Sequence, residues 1–590
     1  MSGVPANLAL LFEETVRQFP DKQAFLFKQS GRYEALTWSQ AAGKVRAVAS
    51  ALLRLGVKSG DRLAILSENR PEWAIFDLAV LSIGAATVPI YTSLTSSEIQ
   101  YILSDAGVHA IAVSNKSLLE KIVPIHRSLP ALRRVVIFEA AAAVSGGELA
   151  IPVSLMTEWE KENPDPGLPR ARGAVEADAI ASVIYTYGTT GEPKGVLLTH
   201  DNFIQNLLMC RTALRMGPSD VHLSFLPLSH VFERLAGYYL MVHIGATIGY
   251  AENMDTVSGD LARVRPTFIL GVPRFFEKIR ARVLEAVEKA GPVRKALFFW
   301  ARDLKKKKGP FFKLKHAIAT ALVYKKFKGR LGGRVRFCVS GGAPLAKEIA
   351  EFFYDLDVLI YEGYGLTETS PVISANREDR FKFGTVGIPL EGVRVRIAED
   401  GEILTEGPCV MKGYLNKLQE TADVLKDGWF HTGDLGLIDP DGFLTITGRK
   451  KDLIVTSGGK KVAPRPIEEL LESDPFIRRC VLFGEGRRFI TALIVPDPER
   501  VREYAQTQKI AFKTYQDLLK DEKIYSFLEQ RLENLSAHLA NFEKIKYFAL
   551  LEFDFSQDSG ELTPTLKVKR DAVLSRHKDL LLPFYERENP

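Results

Sequence analysis

Apolar and polar residues alternate along most of the chain in a pattern that predicts helices between short buried strands. From Trp38 to Leu53 apolar residues recur every three or four positions, which is the spacing of an amphipathic helix. Further helical patterns begin at Pro71 and cover residues 202–209. The apolar runs that predict strands are 63–66, 179–185, 335–339 and 358–360. This alternation predicts an α/β fold with mostly parallel sheets, whose ligands bind at the carboxyl ends of strands.

The pattern changes after Gly448, where a charged turn at 449–452 precedes a smaller α+β pattern. In this last part we expect strands at 480–483 and 489–495 and helices at 468–471 and 525–540. A chain of 590 residues is also too long for one hydrophobic core. We therefore predict a large N-terminal domain over residues 1–448 and a small C-terminal domain over residues 449–590.

Composition and charge narrow the class of protein. Apolar residues form 46% of the chain and charged residues 25%, as in folded globular proteins. The net charge of +6 suits a protein that handles anionic ligands, and no recognised nucleic-acid-binding module accompanies it. Glu13 and Glu14 interrupt the N-terminal apolar segment, which argues against a signal peptide. We expect a cytoplasmic protein, either soluble or attached to the inner face of a membrane.

The four cysteines lie far apart and have no histidine at ligand spacing. This distribution argues against both a disulfide framework and a structural zinc site. We expect four small buried side chains in a reducing compartment.

A glycine- and threonine-rich loop follows the apolar run 179–185. Its candidate phosphate-binding residues are Gly188, Thr189, Thr190, Gly191 and Lys194. Free backbone N–H groups, hydroxyl groups and a lysine can together surround polyphosphate oxygens. The loop is not a Walker A motif, because Gly195 follows the lysine where that motif has Ser or Thr. The alternative is an ordinary turn between a strand and a helix.

Two more glycine turns follow predicted strands, at 340–344 and 361–369. Such turns let a flat ligand approach the backbone closely. The candidate contacts are Gly342, Ala343, Pro344, Glu362, Gly363, Tyr364, Gly365 and Thr367. Glu368 in the second turn is a candidate Mg²⁺ ligand, because this hard cation prefers carboxylate oxygens. The alternative is a carboxylate that stabilises a helix N-terminus.

Three charged residues further along the chain are weaker candidates when each is considered alone. Asp434 could accept hydrogen bonds from a ribose diol, although a turn residue is the commoner role of such an aspartate. Arg449 fits a solvated charge equally well. Lys567, within the segment 562–570, fits the edge of a basic strand.

The order of these segments resembles that of the adenylate-forming superfamily, which includes acyl-CoA synthetases, luciferases and peptide-synthetase adenylation domains. The similarity covers roughly residues 180–570, with Tyr187 standing where the family usually has a small residue. The resemblance implies ATP as a substrate, with Tyr364 against adenine and Asp434 on the ribose. It also implies that Arg449 contacts ribose or phosphate and that Lys567 is the catalytic lysine.

The same resemblance implies a Mg²⁺ ion held by Glu368 and, as a weaker second ligand, Thr186. It further implies a hinge at Lys451, about which the small domain rotates between two reaction steps. Gly458, Gly459 and Lys460 would then lie along the path of coenzyme A. For these lysines the alternative is ordinary linker charge.

Two segments resemble the long-chain branch of the acyl-CoA synthetases, namely 226–234 and 272–279. This resemblance implies a fatty acid substrate and places His230 near the acyl–phosphate junction, where it would orient the reacting groups. The alternative for His230 is a buried core histidine.

The function expected from these resemblances is that of a long-chain-fatty-acid–CoA ligase acting through an acyl-adenylate. Three alternatives share most of the motifs: a fatty acyl-AMP ligase that serves a carrier protein, a luciferase-like oxygenase, and a non-enzymatic lipid- or membrane-binding protein. The expected partners are fatty acid, ATP and coenzyme A, with no nucleic acid; the resemblance also suggests a homodimer.

The segment 294–336 carries fifteen Lys or Arg residues, a single acidic residue and several interleaved aromatic residues. Basic and aromatic residues on an amphipathic helix are typical of contact with an anionic membrane surface. A solvated basic face above core aromatic residues is the alternative, and the sequence does not decide between the two.

Overall fold

The computed structural model describes residues 4–139, 149–187, 192–306, 309, 311–563 and 567–586. The largest sheet of these residues has eight strands, six of them mutually parallel. In spatial order they are Gly413–Tyr414, Lys194–Thr199, Ile180–Thr186, Ala86–Ile90, Arg62–Leu66, Ala110–Val113, Arg134–Ile137 and Val153–Leu155. The first two strands are antiparallel to their neighbours. The predicted strands 63–66 and 179–185 are thus confirmed.

Two smaller sheets complete the α/β part. The five-stranded sheet contains Phe268–Gly271, Phe337–Ser340, Leu359–Gly365, Val372–Ala375 and Ile388–Pro389. Its first three strands are parallel, and the last two are antiparallel. The four-stranded sheet contains Val221–Ser224, Thr247–Tyr250, Gln23–Gln29 and Arg32–Thr37. The α/β prediction is therefore correct for this part of the chain.

Helices surround these sheets and bury their apolar faces in two hydrophobic clusters. Their bounds are Leu8–Gln18, Trp38–Arg54, Pro71–Leu81, Ser96–Asp105, Lys116–Leu119, Met156–Trp159, Leu168–Gly173, His200–Leu214, Leu240–Ile244, Val257–Val264, Pro273–Glu288, Pro292–Asp303, Phe312–Ala319, Lys325–Arg330, Lys347–Asp355 and Leu418–Val424. π-Helical turns occupy Glu233–Tyr239 and Thr320–Tyr324, and short 3₁₀ turns occupy His126–Ser128, Thr367–Thr369 and Lys450–Asp452.

An antiparallel sheet that the sequence analysis did not predict lies before the charged turn. It is built from Arg394–Ile397, Glu402–Glu406, Trp429–Ile438, Leu425–Lys426 and Leu444–Arg449. Burial alternates along the first eight residues of the ten-residue strand Trp429–Ile438, as expected for a sheet with one covered face. This sheet carries two of the predicted site residues, Asp434 and Arg449, on adjacent strands.

The C-terminal part has its own α+β core. Its strands are Ile454–Val455, Lys461–Val462, Ile477–Phe483, Ile490–Pro496 and Ile545–Leu550. Its helices are Pro464–Glu472, Pro498–Thr507, Tyr515–Leu519, Glu522–Leu535 and Arg570–Glu586. Three hydrophobic clusters lie wholly within this part, as expected for a separate folding unit. All four cysteines of the chain are free and buried, as predicted.

A buried arginine links the π-helical turn Glu233–Tyr239 to the eight-stranded sheet. Arg234 is 0% exposed and forms an ion pair with Asp77, which is equally buried. It also donates to the hydroxyl oxygens of Ser182 at 2.8 Å and Tyr239 at 3.0 Å. Because a charge can be buried only when it is paired and hydrogen-bonded, this network fixes the segment that follows His230.

The basic segment forms two packed helical stretches, Pro292–Asp303 and the succession from Phe312 to Arg330. Tyr324 donates to the carbonyl oxygen of Ala301 at 2.7 Å and so joins the two stretches. In the described part of the chain, the helices are all too short or too polar to cross a bilayer.

Candidate active site

Asp434, Arg449 and Tyr364 form one hydrogen-bonded group at the edge of the antiparallel sheet. Asp434 and Arg449 are paired in register on adjacent strands. The guanidinium Nε of Arg449 donates to Asp434 Oδ1 at 2.6 Å, and the Tyr364 hydroxyl donates to Asp434 Oδ2 at 2.7 Å. The structure thus brings together three residues that span 85 positions of the sequence, from Tyr364 to Arg449.

Electrostatics fixes the protonation of Arg449 and Tyr364. Burial disfavours the charge on Arg449, but the carboxylate of Asp434 outweighs it and raises the pKa of Arg449 above its ordinary value. Burial, together with the Asp434 charge, raises the pKa of the Tyr364 hydroxyl well above its usual range. A neutral tyrosine and a charged guanidinium therefore flank Asp434 at neutral pH.

A second group joins the glycine-rich loop to Glu368 through Tyr414, which sequence reasoning missed. The Tyr414 hydroxyl donates to Glu368 Oε1 at 2.8 Å, and Lys194 Nζ lies 5.0 Å from the centre of the tyrosine ring. Lys194 begins the strand that pairs with Thr186, whose hydroxyl donates to the Lys194 carbonyl oxygen at 3.5 Å. The side chains of Lys194 and Glu368 thus meet at one aromatic ring, and Thr186 lies on the strand beside Lys194.

The two remaining glycine turns lie at the ends of neighbouring parallel strands. Gly342, at φ +81°, Ala343 and Pro344 are exposed after the strand Phe337–Ser340. Gly363 and Gly365 end the next strand and Thr367 begins the 3₁₀ turn. A Cβ atom on Gly365 would lie 1.6 Å from the Pro371 carbonyl oxygen, so only glycine fits there.

Glu362, on the same strand, is a buried carboxyl group with an unusual pKa. Its side chain lies among protein atoms and is 6% exposed. Burial raises its pKa to about 8, although a backbone N–H from Leu345 partly offsets this effect. Glu362 is therefore mostly protonated at neutral pH and can donate a hydrogen bond.

Lys567 reaches the same cleft from the C-terminal part. The Lys567 side chain keeps a surface that is exposed to water, although many protein atoms surround it. These protein atoms reduce the hydration of the amino group and so lower its pKa. The positive charges of Arg449 and Arg465 lower the pKa further, whereas Asp434 and Glu368 oppose them. Lys567 is thereby placed among the charged residues of both groups described above.

His230 faces Lys567 across the cleft. Burial and, secondarily, the charge of Lys567 lower the pKa of His230 to about 4, so its ring is neutral at neutral pH. The backbone N–H of Phe232 donates to His230 Nδ1 at 3.1 Å, which assigns the ring proton to Nε2. In this tautomer the imidazole is a hydrogen-bond donor through Nε2 rather than a general base through Nδ1.

The remaining predicted residues lie in exposed turns or outside the described residues. Lys451 is exposed in the 3₁₀ turn Lys450–Asp452. Gly458, Gly459 and Lys460 form an exposed turn closed by hydrogen bonds between Thr456 and Lys460. The predicted phosphate-loop residues Gly188, Thr189, Thr190 and Gly191 lie outside the described residues.

Oxygen ligands suitable for Mg²⁺ are present at Glu368. One carboxylate oxygen accepts from Tyr414, and no described residue donates to the other. A carboxylate with one uncommitted oxygen fits a cation that takes its remaining ligands from phosphates and water.

Comparisons with known proteins agree with this geometry. The model of the AMP-binding enzyme family matches residues 12–415, and that of the AMP-binding enzyme C-terminal domain matches residues 451–589. The long-chain-fatty-acid–CoA ligase FadD15 of Mycobacterium bovis is 37% identical over 599 residues, covering 99% of this chain and 98% of its own. The human long-chain-fatty-acid–CoA ligase ACSBG1 is 32% identical over 625 residues, covering 99% and 86%.

A solved structure supports the fold. The adenylation and carrier didomain of the carboxylic acid reductase from Segniliparus rugosus, in complex with AMP, superposes with a TM-score of 0.76. Its sequence identity is 21%, and the match covers 99% of this chain and 83% of that chain. The family models together span most of the chain, and they match it on both sides of the turn at 449–452. The chain belongs to the AMP-binding enzyme family.

Proposed function

We propose that the chain is a long-chain-fatty-acid–CoA ligase, which converts ATP, fatty acid and coenzyme A to acyl-CoA, AMP and pyrophosphate. The observation that carries this proposal is the convergence of Lys567, His230, Asp434, Arg449 and Glu368 on one cleft. The names of the relatives from Mycobacterium bovis and human favour the same activity.

In the first step a fatty acid carboxylate oxygen attacks the α-phosphorus of ATP and pyrophosphate leaves. Asp434 accepts hydrogen bonds from the ribose, and Arg449 keeps this carboxylate oriented. Lys567 donates to the oxygens on which negative charge develops, and His230 Nε2–H orients the acyl carboxyl group. Glu368 and Thr186 would hold Mg²⁺, which neutralises phosphate charge when bound.

In the second step the thiolate of coenzyme A attacks the acyl carbon of the bound adenylate and AMP leaves. We propose that the small domain, residues 449–590, rotates about Lys451 between the steps and withdraws Lys567. The exposed turn with Gly458, Gly459 and Lys460 then lines the coenzyme A path. Such a rearrangement is the kind of conformational step that can limit turnover.

The decisive experiment incubates the purified protein with MgATP and palmitate, with and without coenzyme A. AMP and palmitoyl-CoA formed together in the presence of coenzyme A would support the ligase. Palmitoyl-AMP that accumulates without a thioester would favour the carrier-dependent ligase, and absence of AMP would favour the non-enzymatic lipid-binding alternative.

Replacing Lys567 by Ala tests its assignment. Loss of one donor to developing charge typically lowers a rate by about 10²–10³-fold. We expect such a fall in pyrophosphate release, while conversion of added palmitoyl-AMP to palmitoyl-CoA is retained. Equal loss of both activities would contradict the assignment.

We also propose that the helical stretch 311–330 contacts an anionic membrane surface. Phe311, Leu314, Ile318 and Leu322 form a stripe at a spacing of three or four residues and are 76%, 61%, 44% and 43% exposed. The opposite face of this stretch is covered, because Tyr324 and Phe327 are buried. The stripe is therefore not needed for the core of the protein.

Exposed lysines flank the apolar stripe at positions 313, 315, 325 and 326. Apolar side chains that can enter the acyl boundary, beside cations that attract acidic headgroups, are the features of a helix that lies on a membrane. A long-chain fatty acid partitions into such a surface, so contact there would raise the local substrate concentration.

Vesicle sedimentation tests this surface with phosphatidylcholine alone and with added phosphatidylglycerol. We expect binding that requires the anionic lipid and is lost when Leu314 and Ile318 are both replaced by Ser. The matched control is Leu418→Ser, which alters a side chain that is 87% exposed elsewhere. Equal binding by the original protein, the double variant and the control would exclude the stripe as the membrane contact.

The homodimer stays a prediction, which sedimentation velocity would test.

A further inference from the structure

The segment 272–279 begins a helix that faces the C-terminal part of the chain. The helix Pro273–Glu288 starts with proline in its first turn, directly after Val272. Phe276 is completely buried and packs edge-to-face against Phe353, 5.5 Å between ring centres. This aromatic contact fixes the start of the helix to the large N-terminal part.

Arg274, on the exposed side of this helix, forms an ion pair across the two parts of the chain. Its Nη2 lies 3.8 Å from Oδ2 of Asp554. Asp554 is itself held in place, because Arg479 donates to its two carboxylate oxygens at 2.6 and 3.4 Å. The carboxylate that Arg274 meets is thus preorganised by the strand Ile477–Phe483, and it precedes Lys567 by thirteen residues.

We propose that Arg274 is a positioning residue that holds the small domain in the orientation that presents Lys567 for adenylate formation. This inference rests on the proposed roles of Lys567 and of domain rotation. The ion pair joins side chains on opposite sides of the turn at 449–452, so a rotation about Lys451 must break it. The ion pair accordingly favours the adenylating arrangement and opposes the thioester-forming one.

The two half-reactions measured separately test the proposal. Pyrophosphate release in the absence of coenzyme A reports adenylation, and conversion of added palmitoyl-AMP to palmitoyl-CoA reports the second step. Because Arg274 is partly exposed, we expect Arg274→Ala to slow adenylation by about 2- to 5-fold, the range typical of such ion pairs. The second half-reaction should be unchanged or faster, which a general structural defect would not produce.

Charge reversal provides the stricter test. Arg274→Glu should slow adenylation more than Arg274→Ala, because it places a like charge opposite Asp554. The matched control is Lys278→Ala, at an exposed position on the same helix, which should leave both half-reactions unchanged.

The outcomes separate this inference from the proposed function. If Lys567→Ala abolishes adenylation but Arg274→Ala and Arg274→Glu leave the ratio of half-reactions unchanged, the positioning role is wrong and the proposed function stands. If Lys567→Ala retains full adenylation, the proposed catalytic arrangement fails first. A parallel fall of both half-reactions in the Arg274 variants would also overturn the positioning role.

Discussion

Replacing Glu362 by Gln tests the unusual protonation of a buried carboxyl group. The group ionises near pH 4.5 in an unfolded chain, whereas burial raises its pKa to about 8 in the folded protein. Between these values the folded state binds more protons than the unfolded state. The free energy of unfolding therefore falls as pH rises through this window.

The size of the effect follows from the two pKa values. Linkage gives a loss of about 2 kcal/mol at pH 6 and about 4 kcal/mol at pH 8, relative to low pH. Glu362 is 6% exposed, so solvent screens little of this loss. Glutamine has nearly the same shape but does not titrate. The Glu362→Gln variant should therefore not show this pH-dependent loss of stability, and any effect of the amide itself should be the same at every pH.

Thermal unfolding followed from pH 5 to pH 9 provides the assay. The difference in Tm between Glu362→Gln and the original protein should move in favour of the variant as pH rises to about 8 and then level off. Glu391→Gln, at an exposed position, is the matched control and should show a constant difference. A Tm difference for Glu362→Gln that does not change with pH would refute the reasoning.

Three further substitutions follow from the structure. Asp434→Asn removes a charged hydrogen-bond acceptor. Since hydrogen bonds to charged groups contribute about 1.5–3 kcal/mol, the KM for ATP should rise about 10- to 100-fold in steady-state assays, and an unchanged KM would contradict the ribose assignment. Asp77→Ala leaves the buried Arg234 unpaired and should lower the free energy of unfolding by about 3–5 kcal/mol in thermal or denaturant unfolding, whereas exposed Asp178→Ala should not. Gly365→Ala places a Cβ against the Pro371 carbonyl and should yield little folded protein on expression; a normal yield would show that the turn can relax.

Sequence patterns could predict the parallel part of the fold because its strands are buried on both faces and end in recognisable glycine turns. The runs 335–339 and 358–360 correspond to Phe337–Ser340 and Leu359–Gly365, within the error expected for element ends. The antiparallel sheet that carries Asp434 was missed, because its strands mix exposed and buried positions and have no long apolar run.

The candidate site was predictable as a set of separate residues but not as connected groups. Glycine turns and charged residues at strand ends have local signals. Tyr414 has none, since its role depends on pairing of the short strand Gly413–Tyr414 with Lys194–Thr199, more than two hundred residues earlier. The contact between Arg274 and Asp554 also has no local signal in the sequence, because it joins two parts of the chain that have separate hydrophobic clusters.

If the small domain rotates as proposed, opposing charge interactions at the cleft contribute to the balance between its two orientations. The arrangement brings Lys567 close to two further cations, Arg449 and Arg465, and this repulsion contributes to its lowered pKa. The ion pair between Arg274 and Asp554 acts in the opposite direction and is itself modest, because both partners remain partly exposed. Bound triphosphate would screen the repulsion between Lys567 and the two arginines, and loss of pyrophosphate would restore it. Opposing contributions of this kind would let substrate binding and product release shift the orientation of the domain.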